Sequence, residues 1–295
     1  MDSRQLSVLK TLSYSDVFNF PLTFSEIYYF LHSGSTMSLS ELKKTLAEMS
    51  KNKSVHLVES DGYFSFSDKK VVILQRLLSN EITKRKIIFA RKIAQILMHI
   101  PSVAFIGISG GVAGGGASET DDIDLFIISQ KGTLYTTRLL LLLLLQLMGR
   151  RRKRNQGDVK DMICLNMLID ESSILLSKDR QNLYTAREVA QLIPLFQRSG
   201  MYSNFLEVNK WTRLFLPNAE GKSGCIAIGK GLFLSGLFKR VEPISRMIQY
   251  IIIKRHSTSE VVGEAFLAFH PNDMRNYVLT EYQKRLRHYI KCYSS

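Results

Sequence analysis

The residues with the clearest chemical potential lie between Phe105 and Ile128, in the stretch FIGISGGVAGGGASETDDIDLFII. Asp122 and Asp124 are separated by one apolar residue, and residues two apart in a β-strand project from the same face. The pair Gly110-Gly111 ends the preceding apolar run, and glycine lets backbone N–H groups approach a ligand closely. This combination predicts a site for a metal-bound polyphosphate.

Nucleotidyl transfer is a reaction that such a site suits. An acceptor hydroxyl attacks the α-phosphate of a nucleoside triphosphate while pyrophosphate leaves, and Mg²⁺ stabilises the charge on both oxygens. Because Mg²⁺ prefers oxygen ligands and keeps several waters, two or three aspartates suffice to hold it. Asp122 and Asp124 could bridge two ions about 4 Å apart. The acceptor stays open at this point: a small molecule, a protein side chain or an RNA end.

The glycine pair, the spacer and the two aspartates together resemble a known signature. Gly110-Gly111, ten further residues and then Asp122-x-Asp124 look like the motif of the DNA polymerase beta-like nucleotidyltransferase superfamily. Longer segments are similar to a group of bacterial nucleotidyltransferase-domain proteins with an N-terminal winged helix: CLN (164–166), TAREVAQLIPLF (185–196), NKWTRLFLPN (209–218) and FHPND (269–273). This wider resemblance covers most of the chain, whereas the motif alone carries the chemical implication.

The resemblance implies a small mixed-sheet nucleotidyltransferase core with the glycine pair at a strand-to-helix turn. Ser109, Gly110 and Gly111 would then bind the nucleotide. Asp122 and Asp124 would be catalytic residues that hold the Mg²⁺ cofactor.

Members of this superfamily usually carry a third carboxylate on a neighbouring strand. Asp161 is the candidate here, as a catalytic residue and metal ligand, because it precedes an apolar run of strand length at 162–169. Asp158 is the second choice. If the strand register instead places Asn166 at that position, a neutral amide replaces the carboxylate and the enzymatic hypothesis weakens.

Residues 1–70 predict a compact winged-helix-like domain of three helices and a β-hairpin. Its second and third helices each begin with a capping-box pair, Thr23 with Glu26 and Ser38 with Glu41. The hairpin is predicted by two apolar runs around Ser60-Asp61-Gly62, the first of them at 55–58.

The rest of the chain predicts an α+β fold. Residues 71–199 are expected to form the nucleotidyltransferase-like domain with a lead-in helix. A leucine-rich helix at 135–148 should cover its sheet, and Pro194 should kink or end a helix that starts near Asn182. Residues 200–295 are expected to form a helical C-terminal region.

Composition narrows the partners and the compartment. The chain has 295 residues and a net charge of +14, which favours polyanionic partners such as nucleotides, nucleic acid or an anionic membrane surface. Three widely spaced cysteines form no disulfide framework, and the N-terminus shows no signal pattern, so a cytoplasmic location is expected. The leucine-rich segment has about 15 residues, short of the roughly 20 that span a bilayer, so no membrane span is predicted.

Two functions from different classes remain. The first is a Mg²⁺-dependent nucleotidyltransferase that transfers a nucleoside monophosphate from a nucleoside triphosphate to an unknown hydroxyl. The second is a DNA-binding regulator in which Lys43 and Lys44 of the third helix approach phosphates and the transferase-like domain is inactive or senses a ligand. The positions of Asp122, Asp124 and a third carboxylate relative to one another discriminate between them.

Overall fold

The protein is a mixed α/β chain with two sheets. The computed structural model describes residues 1–51, 57–66, 70–153, 156–229, 235–256, 261–268 and 274–294. Its helices are α1 (Ser3–Asp16), α2 (Phe24–Tyr29), α3 (Leu39–Lys51), α4 (Lys70–Leu97), α5 (Gly110–Gly114), α6 (Leu134–Leu147), α7 (Leu183–Gln191), α8 (Met201–Val208), α9 (Ser235–His256) and α10 (Met274–Ser294). Its strands are β1 (Leu22–Thr23), β2 (Val58–Ser60), β3 (Tyr63–Ser65), β4 (Val103–Ile108), β5 (Ile123–Ser129), β6 (Ile163–Asp170), β7 (Ile193–Arg198), β8 (Ile226–Ile228), β9 (Val261–Val262) and β10 (Phe266–Ala268).

The N-terminal unit contains the three helices and the hairpin that the sequence predicts. The strands form a small antiparallel sheet in the order β1-β3-β2. Both expected capping boxes are present, with Thr23 and Ser38 as the N-terminal partners. The hairpin turns at Asp61 and Gly62, which have φ values of 51° and 77° and so match a two-residue turn with left-handed central residues. The start of the first predicted hairpin strand, at Val55, lies outside the described residues.

The larger sheet has the order β8-β7-β4-β5-β6-β10-β9. Strands β5 and β6 are parallel, whereas β4 is antiparallel to both of its neighbours, so the sheet is mixed. Successive residues of β5 lie on opposite faces of the sheet. Ile127 packs into the hydrophobic cluster formed with α4 and α6, and Phe126 packs into the cluster formed with α7 and α8. Helices therefore cover both faces of the sheet.

The chain from Pro194 onwards contains strands in addition to the helices that the sequence predicts. Helix α7 ends at Gln191, in agreement with the helix-ending role of Pro194, but residues Ile193–Arg198 then form β7 beside β4. The C-terminal region supplies α8, α9 and α10 and also three short strands. Strand β8 pairs with β7, and β10 pairs with β6, so this region extends the sheet at both edges. The segment 269–273 lies outside the described residues.

The leucine-rich segment forms α6 over one face of the sheet. Leu141 and Leu145 are fully buried against the core, whereas Leu143 is half exposed. The face of α6 away from the sheet contacts α9, where Arg138 Nη1 donates to Gln249 Oε1 at 2.6 Å. Among the helices in the described ranges, none is long and apolar enough to cross a membrane.

The N-terminal unit packs against the C-terminal helix α10. Tyr289 of α10 stacks on Phe66, with ring centroids 3.9 Å apart, and its hydroxyl donates to Asp16 Oδ2 at 3.0 Å. Arg285 also contacts Asp16 Oδ2, at 3.2 Å. The two ends of the chain thus share one packed interface.

We expect His32 to make the stability of this interface depend on pH. Its Nδ1 lies 2.9 Å from the hydroxyl of Tyr282 on α10. Burial, with Lys10 and Arg187 nearby, lowers the pKa of His32 from 6.5 to about 4. Between pH 6.5 and pH 4 the His32 imidazole is protonated in the unfolded chain but remains neutral in the folded chain. The free energy of unfolding should therefore fall by about 2 kcal/mol as the pH drops from about 6.5 towards 4.

Urea unfolding near pH 7.5 and near pH 4.5 tests this expectation. The His32→Gln variant should lack the His32 part of the pH dependence and lose about 2 kcal/mol less than the native chain between the two pH values. An identical loss in both proteins would contradict the assignment.

Candidate functional site

The parallel pairing of β5 with β6 builds the centre of the site. Asp124 is the second residue of β5, and Asp122 precedes that strand by one residue. The register places Asp124 opposite Cys164 of β6. Ligand atoms of Asp122, Asp124 and Cys164 all lie within 4.8 Å of one another, so the structure brings the two predicted aspartates together.

The glycine pair lies directly against this cluster. Strand β4 ends at Ile108, and the Ser109 N–H donates to the Asp124 carbonyl at 2.9 Å. Gly110 has a φ of +65°, and a Cβ there would overlap Oδ2 of Asp124. Gly111 has no atom within 4 Å of the place where its Cβ would be. The close approach of the turn to the Asp124 carboxylate therefore requires glycine at position 110, whereas a side chain at position 111 would extend into open space.

The two carboxylates are held in an environment that opposes their negative charge. Burial, and then the charge of Asp122, raise the pKa of Asp124 to about 7. Burial also raises the pKa of Asp122, although Arg152 partly offsets this because its Nη1 lies 2.7 Å from Asp122 Oδ2. Two partly buried carboxylates side by side favour the binding of a cation.

Cys164, and not a carboxylate, is the third member of this cluster and comes from the neighbouring strand β6. Burial and the charges of Asp124 and Asp122 raise the pKa of its thiol, so the thiol is neutral and donates to Asp124. Arg152 Nη1 lies 3.7 Å from its sulfur. A neutral thiol is a poor ligand for Mg²⁺, which prefers oxygen.

Asp161 lies elsewhere, on the turn before β6 with a φ of 55°. Its Oδ1 is 2.7 Å from Lys86 Nζ, and that lysine, which is almost fully buried, also donates to the Asp121 carbonyl at 2.8 Å. Asp161 thus ties α4 to the loops that flank the two aspartates and is absent from their cluster. Asp158, the second choice, accepts the Lys160 N–H at 3.0 Å.

Asn166 reaches the site because of a register shift. Leu125 pairs with Leu165 but Phe126 pairs with Met167, so Asn166 is the additional residue of a bulge in β6. Bulges of this kind turn a side chain towards a site. The amide of Asn166 lines the cavities described next, and it stands beside the aspartate cluster without replacing a carboxylate in it.

Asp124 of this cluster lines a cleft of about 780 Å³, here called the main cleft. Its walls come from the glycine turn with Asp124, from Arg187 and Glu188 of α7, and from the N-terminal unit around Phe20. Burial raises the pKa of Glu188 to about 7. Glu188 also contributes to the raised pKa of Asp124, so it is a carboxylate of this site that sequence patterning left without a role.

Two arginines hold the N-terminal unit over the main cleft. Arg187 is buried against the rings of Phe30, at 3.8 Å, and Tyr14, at 4.9 Å. Arg76 Nη1 donates to the Gly115 carbonyl at 3.0 Å, while its guanidinium group also pairs with Glu26 of the N-terminal unit.

Ser109, the remaining predicted nucleotide-binding residue, does not line the same cavity as the two glycines that follow it. Its hydroxyl is buried and has no hydrogen-bond partner within the described part of the chain. The side chain lines a second, smaller cavity next to the main cleft. Sequence reasoning gave no role to two residues of this site. Cys164 is placed there only by the pairing of β6 with β5, whereas Glu188 is the single acidic residue of the TAREVAQLI segment.

Comparisons with known proteins add no relative: no family model, no curated protein and no solved structure matches the chain. The case for a function therefore stands on the geometry of the site.

The glycine turn gives a sharp test with a matched control. Gly110→Ala should lower the free energy of unfolding by about 1–3 kcal/mol, because alanine is strained at positive φ and its Cβ displaces the Asp124 carboxylate. It should also weaken Mn²⁺ binding, measured by electron paramagnetic resonance. Gly111→Ala introduces the same methyl group into open space and should leave both quantities nearly unchanged. Equal effects from the two substitutions would show that the turn does not contact Asp124.

Proposed function

We propose that this chain is a Mg²⁺-dependent nucleotidyltransferase that transfers a nucleoside monophosphate from a nucleoside triphosphate to a hydroxyl group. The observation that carries the proposal is the convergence of Asp122 and Asp124, with Asp124 lying against the Gly110 turn and on the wall of the main cleft. A volume of about 780 Å³ lies within the range of about 300–1,000 Å³ that small-molecule sites occupy. The mixed sheet and the N-terminal element order are compatible with the resemblance to the polymerase beta-like superfamily.

The residues present suit Mg²⁺ as the cofactor. Asp122 and Asp124 would be the protein ligands, and water and phosphate oxygens would complete the coordination. The raised pKa of Asp124 reflects a buried negative charge for which a divalent cation is a natural partner. When bound, Mg²⁺ supplies stabilisation of the negative charge that develops on the phosphate oxygens.

The chain's own groups would then orient the reactants. The Gly110 turn would lie along the triphosphate, and Arg152, at the edge of the cluster, would contact its oxygens. The acceptor oxygen forms a bond to the α-phosphorus, the bond to pyrophosphate breaks, and the hydroxyl proton passes to the Glu188 carboxylate. A pKa of about 7 suits a proton acceptor at neutral pH.

Substitution of the carboxylates tests the enzymatic proposal. Asp122→Asn and Asp124→Asn should each abolish Mg²⁺-dependent release of pyrophosphate from nucleoside triphosphates, because a neutral amide holds the cation poorly. Glu188→Gln should lower turnover about 100-fold or more and leave Mn²⁺ binding in place. Asp61→Asn makes the same chemical change at the hairpin tip and should be without effect. Absence of pyrophosphate release with any triphosphate and any class of acceptor would refute the proposal.

A DNA-binding regulator is the second candidate, and the N-terminal unit favours it. The order helix, strand, helix, helix, strand, strand with a three-stranded sheet is compatible with a winged helix. Lys43 and Lys44 are exposed on α3, the helix that would enter the major groove. Exposed Glu41 and Glu48 on the same helix dilute this charge.

Duplex binding measured over a range of salt concentrations decides this candidate. The double change Lys43→Glu with Lys44→Glu should weaken binding and reduce the dependence of log K on log salt by about 2, one unit for each phosphate contact. Arg91→Glu with Lys92→Glu makes the same charge change on exposed positions of α4 and is the control. Equal weakening by both pairs would indicate non-specific attraction to a basic protein.

A further inference from the structure

A second cavity of about 180 Å³, here called the side cavity, adjoins the main cleft. It lies on the face of β5 that carries Asp124, two residues further along the strand at Phe126. Its apolar wall is formed by Phe126, Met167, Leu176, Val189, Phe205 and Ala268, which come from separate elements. Arg180 and Arg275 also line it, with Arg180 stacked on Phe266 at 4.0 Å and Arg275 donating to the Asp179 carbonyl at 3.4 Å.

Polar side chains line the side cavity where it meets the main cleft, and two arginines line it as well. Asn166, Tyr184 and Glu188 line both the side cavity and the main cleft, so they form the shared wall. The Ser109 hydroxyl, about nine-tenths buried, also lines the side cavity and has no hydrogen-bond partner within the described ranges. A buried hydroxyl without a partner is costly unless a ligand supplies one.

The two cavities have different chemical characters. The glycine residues of the turn line the main cleft and not the side cavity, so a triphosphate bound along the turn lies in the main cleft. The main cleft is large enough for a whole nucleotide. The side cavity is slightly larger than the engineered apolar cavity of about 150 Å³ that binds benzene, so it holds one six-membered ring or a short branched chain.

We propose that the acceptor is a small alcohol or phenol whose ring-sized apolar body occupies the side cavity, with its hydroxyl directed at the shared wall. This inference rests on the proposed nucleotidyl transfer and specifies its acceptor class. The hydroxyl lies next to Glu188, which takes the proton as the oxygen bonds to the α-phosphorus and pyrophosphate departs. The Ser109 and Asn166 side chains supply hydrogen bonds that orient the hydroxyl.

Benzyl alcohol is a suitable probe, because it carries one ring and one hydroxyl and its binding is measured without turnover. Saturation-transfer NMR titration of the full chain should detect binding that Val189→Phe weakens at least tenfold, since the larger ring fills the cavity. Val189→Ala enlarges the same wall and should retain binding. Ala268→Leu fills the cavity from β10 and repeats the test if Val189→Phe does not fold, as judged by near-ultraviolet circular dichroism.

The outcomes separate the acceptor assignment from the transferase assignment. If the probe does not bind, or binds equally well to both filled variants, the side cavity is not an acceptor site. If nucleoside triphosphate displaces the probe and the filled variants lose triphosphate binding, the cavity holds the nucleobase and the inference is overturned. If the probe binds as expected while no triphosphate is ever consumed, the cavity binds small alcohols but the proposed transfer is wrong.

Discussion

The site depends on two carboxylates that share one face at the start of a strand and are largely withdrawn from water. Burial, and then the negative charge of Asp122, raise the pKa of Asp124 to about 7. Neighbouring groups respond to this charge: Arg152 lies against Asp122, and the neutral thiol of Cys164 donates to Asp124. The proposed Mg²⁺ would offset the same negative charge, and this is the physical basis of that proposal.

The N-terminal unit forms part of the wall of the main cleft. Arg187 is buried between the main cleft and the rings of Tyr14 and Phe30, and Arg76 joins Glu26 to the loop that follows the glycine turn. Helix α10 also contacts this unit, through the ion pair of Arg285 with Asp16. A substrate in the main cleft would therefore contact both the N-terminal unit and the central sheet, and binding there would be sensitive to how the unit is docked.

Local signals in the sequence predicted local structure well. The Asp61-Gly62 turn and both capping boxes depend only on residues within a few positions of one another, and each is present. Strands β8 and β10 carry no comparable signal, because short strands are stabilised by pairing with β7 and β6 rather than by their own composition. Strand β7 was not predicted for the same reason: the helical pattern of α7 continues to Ile193, and the extended conformation of the residues that follow depends on their pairing with β4.

For the site, the sequence by itself determined that Asp122 and Asp124 share a face and that glycine precedes them, since strand periodicity and the conformational freedom of glycine are properties of the local chain. The tertiary structure alone decided what surrounds them. The parallel register put Cys164 beside Asp124, the packing of α4 engaged Asp161 with Lys86, and the packing of α7 brought Glu188 to the cleft. These three outcomes depend on contacts between segments far apart in the chain, and no spacing within one segment encodes them.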